Sequence, residues 1–230
     1  MGADGDGGGY QHLEDALPGF CRARGIIKAC GDSTRPLQYV GDKFAFYRFV
    51  NRFRMAVRFR GLALDGFAQP TPAGYSALTR AFLAWSVRER YAALCNVHCP
   101  SQPLLAHVPK IQLSQLADTI ERADRDGRFY EFLVEQSVHT KSRHGSPADG
   151  AQPDGLEKFH DGDRRAVLFY AAAIRHIYVH GHLTAHPNGC TSEDTQTICH
   201  AVSDFLFKMI QEDFSRRLHL AEAQGHSASG

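Results

Sequence analysis

Long hydrophobic runs are missing from this sequence. Nowhere do about eighteen apolar residues follow one another without a charge, so no segment is expected to span a bilayer. Cysteine is scarce: the six residues Cys21, Cys30, Cys95, Cys99, Cys190 and Cys199 are scattered over 230 positions. No secretory signal stands ahead of them, so a disulfide framework is not expected, and reduced thiols in a cytoplasmic protein are. An excess of either charge is missing as well. A net charge of +1 exerts no global pull on nucleic acid or membrane, so any anion-binding surface must be local. Neither internal repeats nor strand-length alternation can be found, which argues against a sheet.

What is there is helical periodicity, broken by short Pro, Gly and Ser loops. The hydrophobic share of 43% suits one sizeable core. The expected layout is a disordered, Gly-rich tail over 1–10, a single helical domain over 11–220 and a disordered tail over 221–230. Residues 11–40, with turn signals at Pro18-Gly19 and Gly31-Asp32-Ser33, read as a short helix plus irregular chain. A helix is expected from Asp42 to Leu62, its core stripe formed by Phe46, Phe49, Val50, Phe53 and Val57. Arg48, Arg52, Arg54 and Arg58 lie on its other side, with Phe44, Met55 and Phe59 among them as a second apolar strip. From Lys43 to Arg60 this stretch has no acid, so its four central arginines are candidates for tracking an RNA backbone, with Phe44 and Phe59 stacking on bases. A solvated face explains the same pattern.

Further helices are expected over Thr71–Asn96, Ile111–Ala123 and a short stretch from Phe129. Val97–Lys110 and His139–Gly155 read as loops, the second mobile. Two helices then close the chain, Leu156–His180 and Thr191–Leu220, the last capped by Thr191 or Ser192. Five or six such helices suggest an all-α antiparallel bundle.

One segment has the look of an active site: Arg175-His176-Ile177-Tyr178-Val179-His180. His176 and His180, spaced i, i+4, stack on a face shared with Phe169, Ala172 and Ala173, whose small side chains would leave a cleft or contact face. Gly181 suggests that the helix ends just after His180, where Arg175 and His180 could converge at a frayed end. A guanidinium that clamps a phosphate and an imidazole that moves protons near neutral pH suit metal-free phosphodiester cleavage. The ribose 2′-hydroxyl would be the nucleophile, which restricts the substrate to RNA.

Arg175-His176-x-x-x-His180 at a helix end, followed by a loop and a final helix, resembles the HEPN superfamily signature of Arg, a polar residue, three variable residues and His. The resemblance is specific over those six residues and covers residues 40–220 only in helical order. It implies a helical bundle, often dimeric, and a metal-independent endoribonuclease of toxin–antitoxin or antiviral defence type that needs no cofactor. Carried over, Arg175 would hold the phosphate, His180 would transfer protons and His176 would orient the site. RNA would be the substrate, a second copy of the chain the dimer partner, and an antitoxin or nucleotidyltransferase a further partner. Three other readings stand beside this one. The segment could be a solvated helix end with favourable cations, or a silent HEPN-like module that binds nucleic acid, nucleotide or protein. It could also be a metal site, because His176, His180, His182, His186 and Cys190 crowd together in sequence. Cys95-x-x-His98-Cys99 is a weaker metal pattern, better explained by buried thiols.

Overall fold

The computed structural model describes residues 10–97, 107–144, 153–182 and 184–227. The chain is all-α. Its helices are α1 (Gln11–Glu14), α2 (Phe20–Ala29), α3 (Lys43–Arg58), α4 (Thr71–Leu94), α5 (Lys110–Ala123), α6 (Arg128–His144), α7 (Pro153–His160), α8 (Leu168–Val179) and α9 (Ser192–Ser227). Short 3₁₀ turns occupy Arg35–Leu37, Arg164–Val167 and Pro187–Gly189. Among the described residues no strand forms, and Ser33 and Asp42 pair as an isolated antiparallel bridge. None of the described helices is long and apolar enough to cross a membrane. Two compact units emerge, one from residues 10–58, 87–97 and 208–227, the other from 59–86, 107–144, 153–182 and 184–207.

The first unit is built on aromatic rings. On α3, Phe46, Phe49, Val50 and Phe53 are buried as their helical spacing requires, joined by Ala56, while Val57 is half-buried. Phe46 stacks on Phe20 at 5.9 Å and on Phe214 at 6.3 Å, and Phe49 meets Tyr91 at 5.0 Å. Residues 11–40 are more ordered than their weak periodicity suggests. The Glu14 carboxylate accepts hydrogen bonds from the backbone N–H groups of Gly19 and Cys21, both at 2.7 Å, and so holds the start of α2. The second apolar strip on α3 remains uncovered: Phe44 is 57% and Met55 56% exposed. The helix stops at Arg58 rather than Leu62, whose N–H donates to Ser76 Oγ instead, so Phe59 lies beyond the helix.

A buried polar cluster crosses this unit. Asp213 accepts from Arg217 Nε at 2.7 Å, from Arg216 Nη2 at 2.5 Å and from the Tyr91 hydroxyl at 2.8 Å. Tyr39 lies 3.3 Å from Tyr91, oxygen to oxygen, and Arg217 also donates to the Gln38 carbonyl at 3.0 Å.

In the second unit, Leu113, Leu116 and Ile120 of α5, Phe129 and Leu133 of α6, and Tyr170, Ile174 and Ile177 of α8 are buried. Tyr170 stacks on Phe129 at 6.5 Å and takes the edge of Phe159 at 5.1 Å. Asp124 restarts the chain after α5 by accepting from Phe129 N–H and Tyr130 N–H at 2.9 and 2.8 Å. Three expectations are corrected here. Helix α6 continues to His144 because no Gly or Pro interrupts the sequence before Gly145; of the expected mobile loop, residues 145–152 lie outside the described residues. The helix expected over Leu156–His180 is broken at Asp161-Gly162-Asp163. Gly162 takes a φ of +96°, and Asp163 accepts from Arg165 N–H at 3.0 Å to start a 3₁₀ turn. Helix α9, opened by Thr191 Oγ1 accepting from Asp194 N–H at 3.0 Å, runs to Ser227 rather than Leu220, with Glu222 paired to Arg22 at 2.9 Å. Most of the expected Val97–Lys110 loop, and the tails over 1–9 and 228–230, lie outside the described residues.

Candidate functional site

The way α8 ends fixes the geometry of the residues before it. Gly181 adopts a left-handed φ of +72°, His182 N–H donates to Ile177 O at 3.2 Å, and Gly181 N–H donates to Tyr178 O at 3.3 Å. These two reversed bonds form a Schellman closure, which satisfies carbonyls that a helix end otherwise leaves open. His180 is the cap residue, its N–H donating to His176 O at 3.1 Å. The helix ends where Gly181 predicts, but it is closed, not frayed. Upstream, Tyr178 stacks on Phe82 of α4 at 4.3 Å and 10°, and Thr79 Oγ1 lies 3.5 Å from its hydroxyl.

On this end the imidazoles of His176 and His180 come together, with centroids 4.5 Å apart and planes tilted by 55°. Their exposure differs. His176 is 8% exposed, whereas Arg175 and His180 are half-buried. The alanines expected to line a cleft or contact face are not accessible among the described residues. Ala172 and Ala173 are buried, and the Phe169 ring sits against Gly155 so closely that a side chain there would collide with it. Small residues let neighbouring atoms approach the backbone here, and the space they save is filled by packing.

The metal reading loses its geometric basis. Among the described residues, no three His, Cys, Asp or Glu side chains gather so as to hold a metal ion. His176 is buried, His182 half-buried and His186 exposed. Cys190 lies with Asp124, Arg128 and Asp194. Its thiol is pushed up to about 11, first by burial and then by the charges of Asp124 and Asp194. His98 and Cys99 of the Cys95 pattern lie outside the described residues. The Cys95 thiol itself is pushed up to about 12, burial being the largest cause.

The arginines of α3 divide. Arg58 pairs with Asp15 at 3.5 Å, and Arg54 is half-buried. Arg48 and Arg52 are exposed and line a pocket together with Arg90 of α4. Sequence reasoning passed over Arg90, which stands in a helix otherwise read as core. It also missed Asp213, although Asp213, Arg216 and Arg217 are spaced i, i+3 and i, i+4 and therefore meet on one helical face.

The site on α8 is thus a closed helix end that carries one arginine and a histidine pair within an all-α fold. Compared with known proteins, the chain matches no family model, no curated protein and no solved structure.

Proposed function

We propose that the chain is a metal-independent endoribonuclease of HEPN-like type, with Arg175 and His180 as catalytic residues and His176 as the residue that positions His180. The observation that carries this reading is the contact between the His176 and His180 rings at a helix end fixed by Gly181. In the reaction, His180 accepts the proton of the ribose 2′-hydroxyl as the O2′–P bond forms. The P–O5′ bond breaks, and the departing 5′-oxygen takes a proton from the imidazolium or from water. Arg175 neutralises the charge that builds on the phosphate oxygens. The products are a 2′,3′-cyclic phosphate and a 5′-hydroxyl. A homodimer, a role in toxin–antitoxin or antiviral systems, and an antitoxin or nucleotidyltransferase partner follow from the family resemblance alone.

A second reading is favoured by one observation. With His176 only 8% exposed and Ala172 and Ala173 buried, the motif can serve packing, and the chain is then a silent module that binds a nucleic acid, nucleotide or protein. The test is incubation of the purified protein with single-stranded and structured RNA in EDTA, beside Arg175→Ala and His180→Ala. An enzyme of the proposed kind cleaves in EDTA and loses about a hundredfold or more in rate in each variant. Cleavage that survives both substitutions places the activity elsewhere, and no cleavage by the wild-type protein favours the silent module.

A further inference from the structure

We propose that the pocket between α3 and the last turns of α4 binds the phosphate of a mononucleotide, with its ring laid on an apolar wall. The pocket lies within the first unit and has a volume of about 360 Å³, within the range of sites that hold small organic ligands. This site is separate from the one on α8 and does not depend on it.

Arg48 and Arg52 stand one helical turn apart on α3, and Arg90 faces the same pocket from α4. Like charges one turn apart destabilise a helix unless something offsets them. Some arginines elsewhere are paired with carboxylates, among them Arg22 with Glu222, Arg58 with Asp15, Arg80 with Asp204, and Arg164 with Asp118 and Glu121. Among the described residues no carboxylate lines this pocket or pairs with its three arginines. Two helix ends also meet there, the start of α3 and the finish of α4, and their opposite partial charges roughly cancel. The three guanidinium charges therefore dominate. Guanidinium groups bind phosphate through paired N–H donors, and an arginine cluster is a common way of holding a phosphate ester.

The wall restricts what the phosphate is attached to. Val40, 64% exposed, supplies apolar surface beside the arginines, with the buried Phe49 and Leu94 behind it. The wall is rigid. Val40 N–H donates to Leu94 O at 2.9 Å, and Gly41 packs so tightly that a Cβ on it would stand 2.8 Å from Ala45 Cβ and 2.9 Å from Leu94 Cδ2. Apolar surface beside a phosphate clamp suits contact with the face of a nucleobase. No Asn, Gln, Asp or Glu stands in the lining to read a base edge, so the site should take purine and pyrimidine nucleotides alike.

The test is isothermal titration of the full chain with AMP, UMP, adenosine, inorganic phosphate and a 5′-phosphorylated ribonucleotide pentamer, at low and high salt. It includes Arg48→Gln, Arg90→Gln and, as a control that removes one exposed positive charge from α2 of the same unit, outside the pocket, Lys28→Gln. Circular dichroism checks that all three variants keep their helix content. AMP and UMP are expected to bind within about threefold of each other, more weakly as salt rises. Each pocket variant should lose about tenfold or more, and Lys28→Gln should behave as wild type. A pentamer that binds much more tightly than AMP identifies the ligand as a nucleotide within a strand, and equal binding identifies the free mononucleotide; either supports the site. The proposal is overturned if AMP fails to bind at millimolar concentration, if adenosine binds as well as AMP, if inorganic phosphate does so, or if Arg48→Gln and Arg90→Gln bind like wild type.

Discussion

Replacing Asp213 with Ala tests the physical account of the first unit most directly. Asp213 is 4% and Arg217 8% exposed, and Tyr91 is wholly buried. The substitution would strand the Arg217 guanidinium, which keeps one bond to the Gln38 carbonyl, and leave the Tyr91 hydroxyl with Tyr39 and the Cys95 thiol but no carboxylate. Breaking a buried ion pair by removing one partner costs about 3–5 kcal/mol, because the remaining charge stays desolvated. Against a total stability of about 5–15 kcal/mol this is a large fraction. Replacing the pair together, Asp213→Leu with Arg217→Met, removes both charges and should cost far less than the single change. Urea unfolding followed by far-ultraviolet circular dichroism measures both. The pH dependence adds a sign. Burial alone would raise the Asp213 carboxyl, but hydrogen bonds from Arg217 and Arg216, the Arg217 charge and the Tyr91 hydroxyl hold it below the ordinary value. Because the folded state depresses this group, its stabilising contribution is complete above the unfolded-state value. It is lost as pH falls through the folded one. Asp213→Asn should therefore flatten that part of the acid limb. A single-variant loss under about 1 kcal/mol, or a double variant as unstable as Asp213→Ala, would refute the reasoning.

Two further outcomes can be checked by simpler means. Gly181→Ala places a Cβ on a backbone with φ +72° and should cost about 1 kcal/mol or more, read as a lower thermal midpoint; an unchanged midpoint would show that the Schellman closure is not needed. Alkylation at pH 8 followed by mass spectrometry should label the exposed Cys21 and Cys30 in the native protein. Cys95, Cys190 and Cys199, whose thiols burial pushes up, should need denaturant, and native labelling of Cys199 would contradict its burial.

Much of the helical order could be read from the sequence because periodic burial depends on local spacing. The α3 stripe from Phe46 to Phe53 and the α8 stripe through Tyr170, Ile174 and Ile177 are buried as their 3.6-residue period requires. Gly181 as a stop and a cap at Thr191 or Ser192 are equally legible, since such groups act on adjacent backbone, and the structure selects Thr191. The failures came where a local breaker competed with a long apolar pattern. Asp161-Gly162-Asp163 carries a turn signal, yet the apolar residues on either side read as one helix. Side-chain destination was the least legible property. Ala172 and Ala173 could line either a cleft or a packed face, and only contacts from other parts of the chain decide which. For the same reason Arg90 could not be linked to Arg48 and Arg52, because their convergence depends on how α4 packs against α3.

The unequal burial of the histidine pair separates the roles the two residues can take. A group that transfers a proton to or from RNA must come within about 3 Å of it, and a side chain 8% exposed in this chain is poorly placed to do so. Half-buried His180 has the access, so under the nuclease reading His176 acts through His180 by fixing its ring, 4.5 Å away. That assignment predicts an asymmetry. His176→Asn, a polar side chain of smaller volume, should retain cleavage within about tenfold, whereas His176→Leu should fold normally and lose as much rate as His180→Ala. Single-turnover cleavage across pH 5–9, with thermal midpoints measured in parallel, distinguishes positioning from simple destabilisation. If positioning is right, His176→Leu changes the pH profile at an unchanged midpoint. If His176→Leu cleaves as fast as wild type, the two rings touch for reasons of packing, and the catalytic role falls to Arg175 and His180 alone.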